Sequence, residues 1–230
     1  MKSVFIKQVS KTFYFVIIFS LAACGGGGGG GGSSSSSAPT GVRVLHAAIE
    51  GSPVDLFSSQ NSEEALQIAR FGDTPYHAAA SRGAQVLSLS LHLDPSINYF
   101  QAPVTIEKNQ HISVLFYGNA LSIGLNAVTI SDLARDIPEG MSAIRVIHGL
   151  VGAASLRASI ETEVLSSSVE FGKASDYIFT SSGVKTVVVR RTADGKAVFS
   201  GATELKPGFS YSVFMAGEIG YLTVGKILED

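Results

Sequence analysis

The chain repeats itself at a spacing close to 100 residues, and this duplication constrains its fold more than any other feature. VRVLHA (42–47) returns as IRVIHG (144–149), and FGDTPY (71–76) returns as FGKASDY (171–177), one residue longer. GAQVLSLSL (83–91) matches GVKTVVVRR (183–191), and IEKNQHISVLFYG (106–118) matches LKPGFSYSVFMAG (205–217). Four markers in one order imply two copies of a unit near 95 residues. A period of that length is too long for a solenoid repeat and is the size of a whole domain. The polar segment SDLARDIPEG (131–140) is the expected join, which places the copies at 41–136 and 140–230.

Each copy reads as β-structure. Leu87, Leu89, Leu91 and Leu93 alternate with Ser88, Ser90 and His92, the period of a half-buried strand. VKTVVVRR, YSVFMA and ISVLFYG are β-branched or aromatic runs of strand length. Turn signals separate them, among them Gly51-Ser52-Pro53, Asp94-Pro95-Ser96 and Lys206-Pro207-Gly208, and Asp194-Gly195 is the expected tight turn of a hairpin. SEEALQIARF (62–71) fits either a helix or a strand after a short turn. Seven or so short strands per copy predict an all-β protein with two tandem Ig-like β-sandwich domains, each large enough to fold alone without disulfides.

The N-terminal segment differs in kind. Lys2, Lys7 and Lys11 precede an apolar run of 11 residues (13–23), the length of a signal-peptide core and too short to cross a bilayer of roughly 30 Å as a helix. The run ends in Leu21-Ala22-Ala23-Cys24, which resembles the lipobox of bacterial lipoproteins. The other reading is an ordinary secretory signal with an incidental cysteine. The lipobox implies removal of 1–23, acylation of Cys24 and a lipid bilayer as partner. It also accounts for a lone cysteine on an exported chain, where an unconsumed thiol is a liability. Eight glycines and five serines follow Cys24, so 24–40 is expected to be a flexible tether with an end-to-end distance of about 20 Å. It does not fit a phosphate-binding loop, because no Lys-Ser or Lys-Thr pair follows it. Gly25 rather than Asp after the cysteine resembles lipoproteins sorted to an outer membrane where the host has one.

Cleavage before Cys24 leaves 14 basic against 19 acidic side chains, a balance of −5 that argues against a broad nucleic-acid footprint. The order VRVLHA…SPVDLF…FG…Y…YSVF is similar to the bacterial family DUF4397. The first copy carries its opening signature in Arg43, His46, Pro53, Val54 and Asp55. The second carries the later part in Ser175-Asp176-Tyr177 and the Pro207-Gly208…Tyr211 turn. The resemblance covers nearly all of 41–230 and implies a β-sandwich outside the cytoplasm. It implies no activity, since none is assigned to the family.

Candidate chemistry is sparse. His46 and His148 occupy matching positions, and Asp55 lies nine residues after His46, a spacing that suits a base and its orienting acid. The second copy has Arg157 in place of that acid, and alternation puts His46 with Val42 and Val44, so a structural histidine bonded to a turn is expected instead. There is no G-x-S-x-G, and GYLTVGKI (220–227) lacks the hydroxyl and the following helix of a P-loop, so it is expected to be a final strand. No metal-ligand spacing occurs, which leaves loop carboxylates such as Asp132 and Asp136 as the remaining cation candidates. Tyr76 and Tyr177 match in position; packing with the hydroxyl tied to backbone is favoured over stacking on a sugar. The reading is therefore a non-enzymatic, cofactor-free and metal-free envelope lipoprotein that binds an envelope or extracellular ligand. A purely structural envelope component is the alternative, and an extracytoplasmic hydrolase stands third.

Overall fold

The computed structural model describes residues 40–75, 78–132 and 136–230. The signal segment, Cys24, the tether up to residue 39 and Tyr76 lie outside the described residues. The body is all-β and consists of four four-stranded sheets that pair into two sandwich-like halves. In the first half, β1 (Gly41–His46), β4 (Ala78–Ala79), β7 (His111–Asn119) and β8 (Gly124–Ser131) form an inner sheet in the order β4-β1-β7-β8. The outer sheet has the order β3-β2-β5-β6, built from β2 (Val54–Ser58), β3 (Gln67–Ala69), β5 (Gly83–Leu91) and β6 (Asp94–Ile106).

The second half repeats this plan strand for strand. Its inner sheet is β12-β9-β15-β16, from β9 (Met141–Val151), β12 (Ile178–Ser181), β15 (Ser210–Glu218) and β16 (Leu222–Glu229). Its outer sheet is β11-β10-β13-β14, from β10 (Ser155–Ile160), β11 (Glu163–Glu170), β13 (Gly183–Arg191) and β14 (Ala197–Leu205). Each inner sheet holds one parallel pair, β1 with β7 and β9 with β15, and the remaining pairings are antiparallel. Each half thus has eight strands where about seven are expected. The ambiguous segment 62–71 contributes the strand β3, and GYLTVGKI ends in β16.

Alternation fixes which face of each strand meets which core. Val42, Val44, Val114 and Phe116 point into the first sandwich, and Ile144, Val146, Val213 and Met215 into the second. The opposite faces of the inner strands are buried too. Leu45, Ala47, Leu115 and Ile130 of the first half pack on Ile147, Phe214 and Ala216 of the second. The two inner sheets therefore face each other across a third core. At this seam the backbones approach closely, and a Cβ on Gly149 would stand 2.5 Å from the Cβ of Ala47.

Candidate functional site

The seam carries the most heavily buried charges of the body. Arg43 projects from β1 between Val42 and Val44, so it leaves its own sandwich core and enters the seam. There its Nε donates to Ser113 Oγ at 2.8 Å, and its Nη2 bonds the Asp230 carboxylate of the other half. Arg145, its counterpart on β9, donates from Nε to Ser212 Oγ at 2.9 Å and from Nη2 to the Asp132 carboxylate of the first half. Ser113 in turn donates to Asp132 Oδ2 at 2.6 Å, and Ser212 to Asp230 Oδ2 at 2.6 Å. Each half thus supplies an arginine to the terminal aspartate of the other, an approximate two-fold exchange. The side chains of both arginines are 3% exposed and those of both aspartates 0%, so each buried charge is compensated by its partner rather than by water.

Asp132 is therefore not a free loop carboxylate. It is bound by Arg145 and Ser113, with Arg43 Nη2 at 3.7 Å, and these bonds disfavour the minor alternative of a cation held by Asp132 and Asp136. Among the described residues no group of three or more His, Cys, Asp or Glu side chains is placed to hold a metal ion.

A cleft of about 630 Å³ opens beside this network, where Ile130 and Ser131 meet Arg145, Asp176, Tyr177 and Phe179. The Arg145 guanidinium lies 4.5 Å from the centre of the Tyr177 ring and covers one face of it. The Tyr177 hydroxyl donates to Asp230 Oδ2 at 2.9 Å, to a carboxylate rather than to backbone as the sequence suggests. Burial, followed by the charge of Asp230, holds its phenol well above the ordinary tyrosine range.

Both repeated histidines are fully buried, His46 at the end of β1 and His148 within β9. His46 Nε2 lies 3.2 Å from the Ser52 carbonyl and His148 Nε2 3.1 Å from that of Ala153, each within the turn that follows its strand. The backbone of each is clamped by the repeated Phe-Gly motif. Gly72 N donates to His46 O and Gly172 N to His148 O, both at 2.8 Å. The glycines adopt φ of +76° and +75°, which explains why FG and His recur together in the two copies. Burial lowers both imidazole pKa values, that of His148 to about 4. Asp55 does not serve His46: its Oδ1 lies 2.7 Å from His92 Nδ1, on the outer face of the first half.

The seam network is what sequence reading misses. Its signal is a polar residue retained in both copies inside an apolar strand: Arg43 and Arg145, Ser113 and Ser212. His92 carries no such mark, because the second copy has no histidine there.

Fold and site together define an all-β body of duplicated architecture whose buried charges join its halves. The chain belongs to DUF4397, a domain of unknown function, whose family model matches residues 40–159. The match spans the first half and continues through most of β10. No curated protein matches the chain. Among solved structures, a protein from Bacteroides uniformis ATCC 8492 described as a proposed cell adhesion protein is 8% identical, with 78% of this chain and 91% of that chain covered and a TM-score of 0.24. Likeness at that level bears on neither the fold nor the function of this chain.

Proposed function

We propose that the protein is a lipid-anchored, non-catalytic binding module of the bacterial cell envelope. In this reading residues 1–23 are removed as a signal peptide and Cys24 is acylated, with palmitate among its chains. Residues 24–40 tether repeats 41–136 and 140–230, which act as one body. Where the host has an outer membrane, Gly25 directs the protein there.

The observation that carries the reading is the polarity of the body. Strand β1 begins beside the start of β7, so the chain enters at the end of the seam where Arg43 meets Asp230. The hairpin loops 120–123 and 219–221 lie at the opposite end, where Asn119 Nδ2 donates to Glu218 Oε2 at 2.8 Å. Those loops expose Leu121 and Tyr221, at 82% and 72%, and offer an apolar contact surface at the end of the body far from residue 40. The non-catalytic reading is supported by the use of Arg43, Arg145, Asp132, Asp230, His46 and His148 in bonds that hold the fold.

The test is protease shaving of intact cells alongside palmitate labelling, in wild type and a Cys24→Ala strain. Labelling that survives the substitution removes the anchor. Digestion of the wild-type body without lysis supports ligand capture at the surface, and protection until lysis favours the structural envelope role.

A further inference from the structure

We infer that the outer sheet of the second half carries a binding site for an acidic polysaccharide, centred on Arg157 and Arg190; this assigns a ligand class to the binding-module reading and rests on it. The two arginines stand directly opposite each other, Arg157 on β10 and Arg190 on β13, both exposed on the solvent face of the sheet. They line a groove of about 300 Å³ together with Ser159, Ser166, Ser167 and Val188.

Like charges directly opposite on a sheet repel, and nothing in the described residues neutralises this pair. Among the described residues neither arginine forms an ion pair with a carboxylate. Arg190 Nη1 donates to the carbonyl of Gly195 at 3.3 Å, and the Arg157 guanidinium packs over that same glycine. Asp194, in the adjacent turn, is engaged by Arg191 and by the backbone N–H of Lys196. The corresponding place in the first half is self-sufficient. There Asp55 and Ser90 take the opposed positions, and His92 closes on the aspartate. One plan thus holds a satisfied pair in one copy and two unneutralised guanidinium forks in the other, a geometry suited to bidentate recognition of a carboxylate, sulfate or phosphate group.

The rest of the groove selects the class of polymer. Irregular pairing between β10 and β11 occurs on either side of Ala158, in the register of the serine run, and turns Ser166 and Ser167 into the groove. Three serine hydroxyls beside an apolar strip formed by Val164 and Val188 match a sugar ring, which offers hydroxyls at its rim and C–H groups on its face. The same irregularities interrupt β11, the edge strand, and so disfavour an acidic peptide adding to that edge as a further strand.

The experiment measures binding of the full chain in detergent at low salt to four probes: polygalacturonate, heparin, uncharged dextran and poly-glutamate. The first two distinguish a carboxylated from a sulfated sugar. Binding to at least one of them, with little to dextran or poly-glutamate, is expected. The Arg157→Gln/Arg190→Gln double variant should weaken it by at least about tenfold, the effect of losing one charge-assisted hydrogen bond. Arg82→Gln, an exposed arginine of the first half, should leave binding unchanged. Relief of the repulsion should leave the double variant melting at or above the wild-type temperature, which shows that it is folded. Equal binding to dextran, equal or tighter binding to poly-glutamate, or full binding by the double variant overturns the site. None of these results alters the labelling and shaving outcomes that judge the anchored module itself.

Discussion

Arg43 and Asp230 are 187 residues apart in the chain and meet in the seam between the two halves, each side chain all but excluded from water. Removal of one partner leaves an unpaired buried charge, a penalty of about 3–5 kcal/mol. Arg43→Ala, Asp230→Ala, Arg145→Ala and Asp132→Ala should therefore each lower unfolding free energy by that order, read as a fall in urea midpoint. The Arg43→Ala/Asp230→Ala double variant should lose much less than the sum of its singles. Additive losses would show that the two side chains do not depend on each other.

The apolar part of the seam bears on whether the halves are separate folding units. An isolated half would expose Leu45 and Leu115, or Ile147 and Phe214, all fully buried in the body. On this ground a single cooperative unit is predicted, and the measurement decides between it and the expectation that each copy folds alone. Calorimetry of the body should show one transition, and Phe214→Ala should lower it by about 3–5 kcal/mol without splitting it. Two resolved transitions would mean that the seam is only a loose docking surface.

Gly149 tests how tightly the inner sheets approach. A methyl group there meets Ala47 Cβ at 2.5 Å and the Met215 carbonyl at 3.1 Å, with backbone on one side and the facing sheet on the other. Gly149→Val should cost about 1–3 kcal/mol through overpacking. Ala47→Gly in the same chain should recover part of that loss, because it vacates the space on the opposing strand. No recovery would place the clash elsewhere.

The strands were legible because their side chains obey a local period: Leu87 and Leu89 face the first core as the alternation in VLSLSLHL requires. Leu93 departs from it, at 88% exposed, because β5 ends at Leu91 and the residue falls in the turn beyond. The seam was not legible for a different reason. A strand buried on both faces by two unlike neighbours shows apolar residues at every position, and a polar residue such as Arg43 or Ser113 within it looks solvent-facing until its partner is known. The partners of Arg43, Ser113 and Asp55 are fixed by sheet packing over tens to hundreds of residues, and no local pattern encodes them. The interruption of β11 beside Arg157 depends in the same way on a pairing register that only the assembled sheet reveals.

The buried histidines predict an acid limit to stability. An imidazole in the unfolded chain takes up its proton near pH 6.5, whereas that of His148, deep in the second core, does so only near pH 4. Between those values the unfolded state binds more protons than the folded one, so stability falls as pH is lowered. The contribution of His148 is fully present above about pH 6.5, is lost as pH falls to about 4, and amounts to roughly 3 kcal/mol. His46, lowered by burial as well, acts in the same direction. Urea midpoints measured at pH 7, 6, 5 and 4 should fall accordingly. His148→Gln should be less stable at pH 7, since it loses the contact between the ring and the Ala153 carbonyl, but its dependence on pH should flatten across that window. A variant that retains the full wild-type slope would show that some other group, not the His148 imidazole, sets the acid limit.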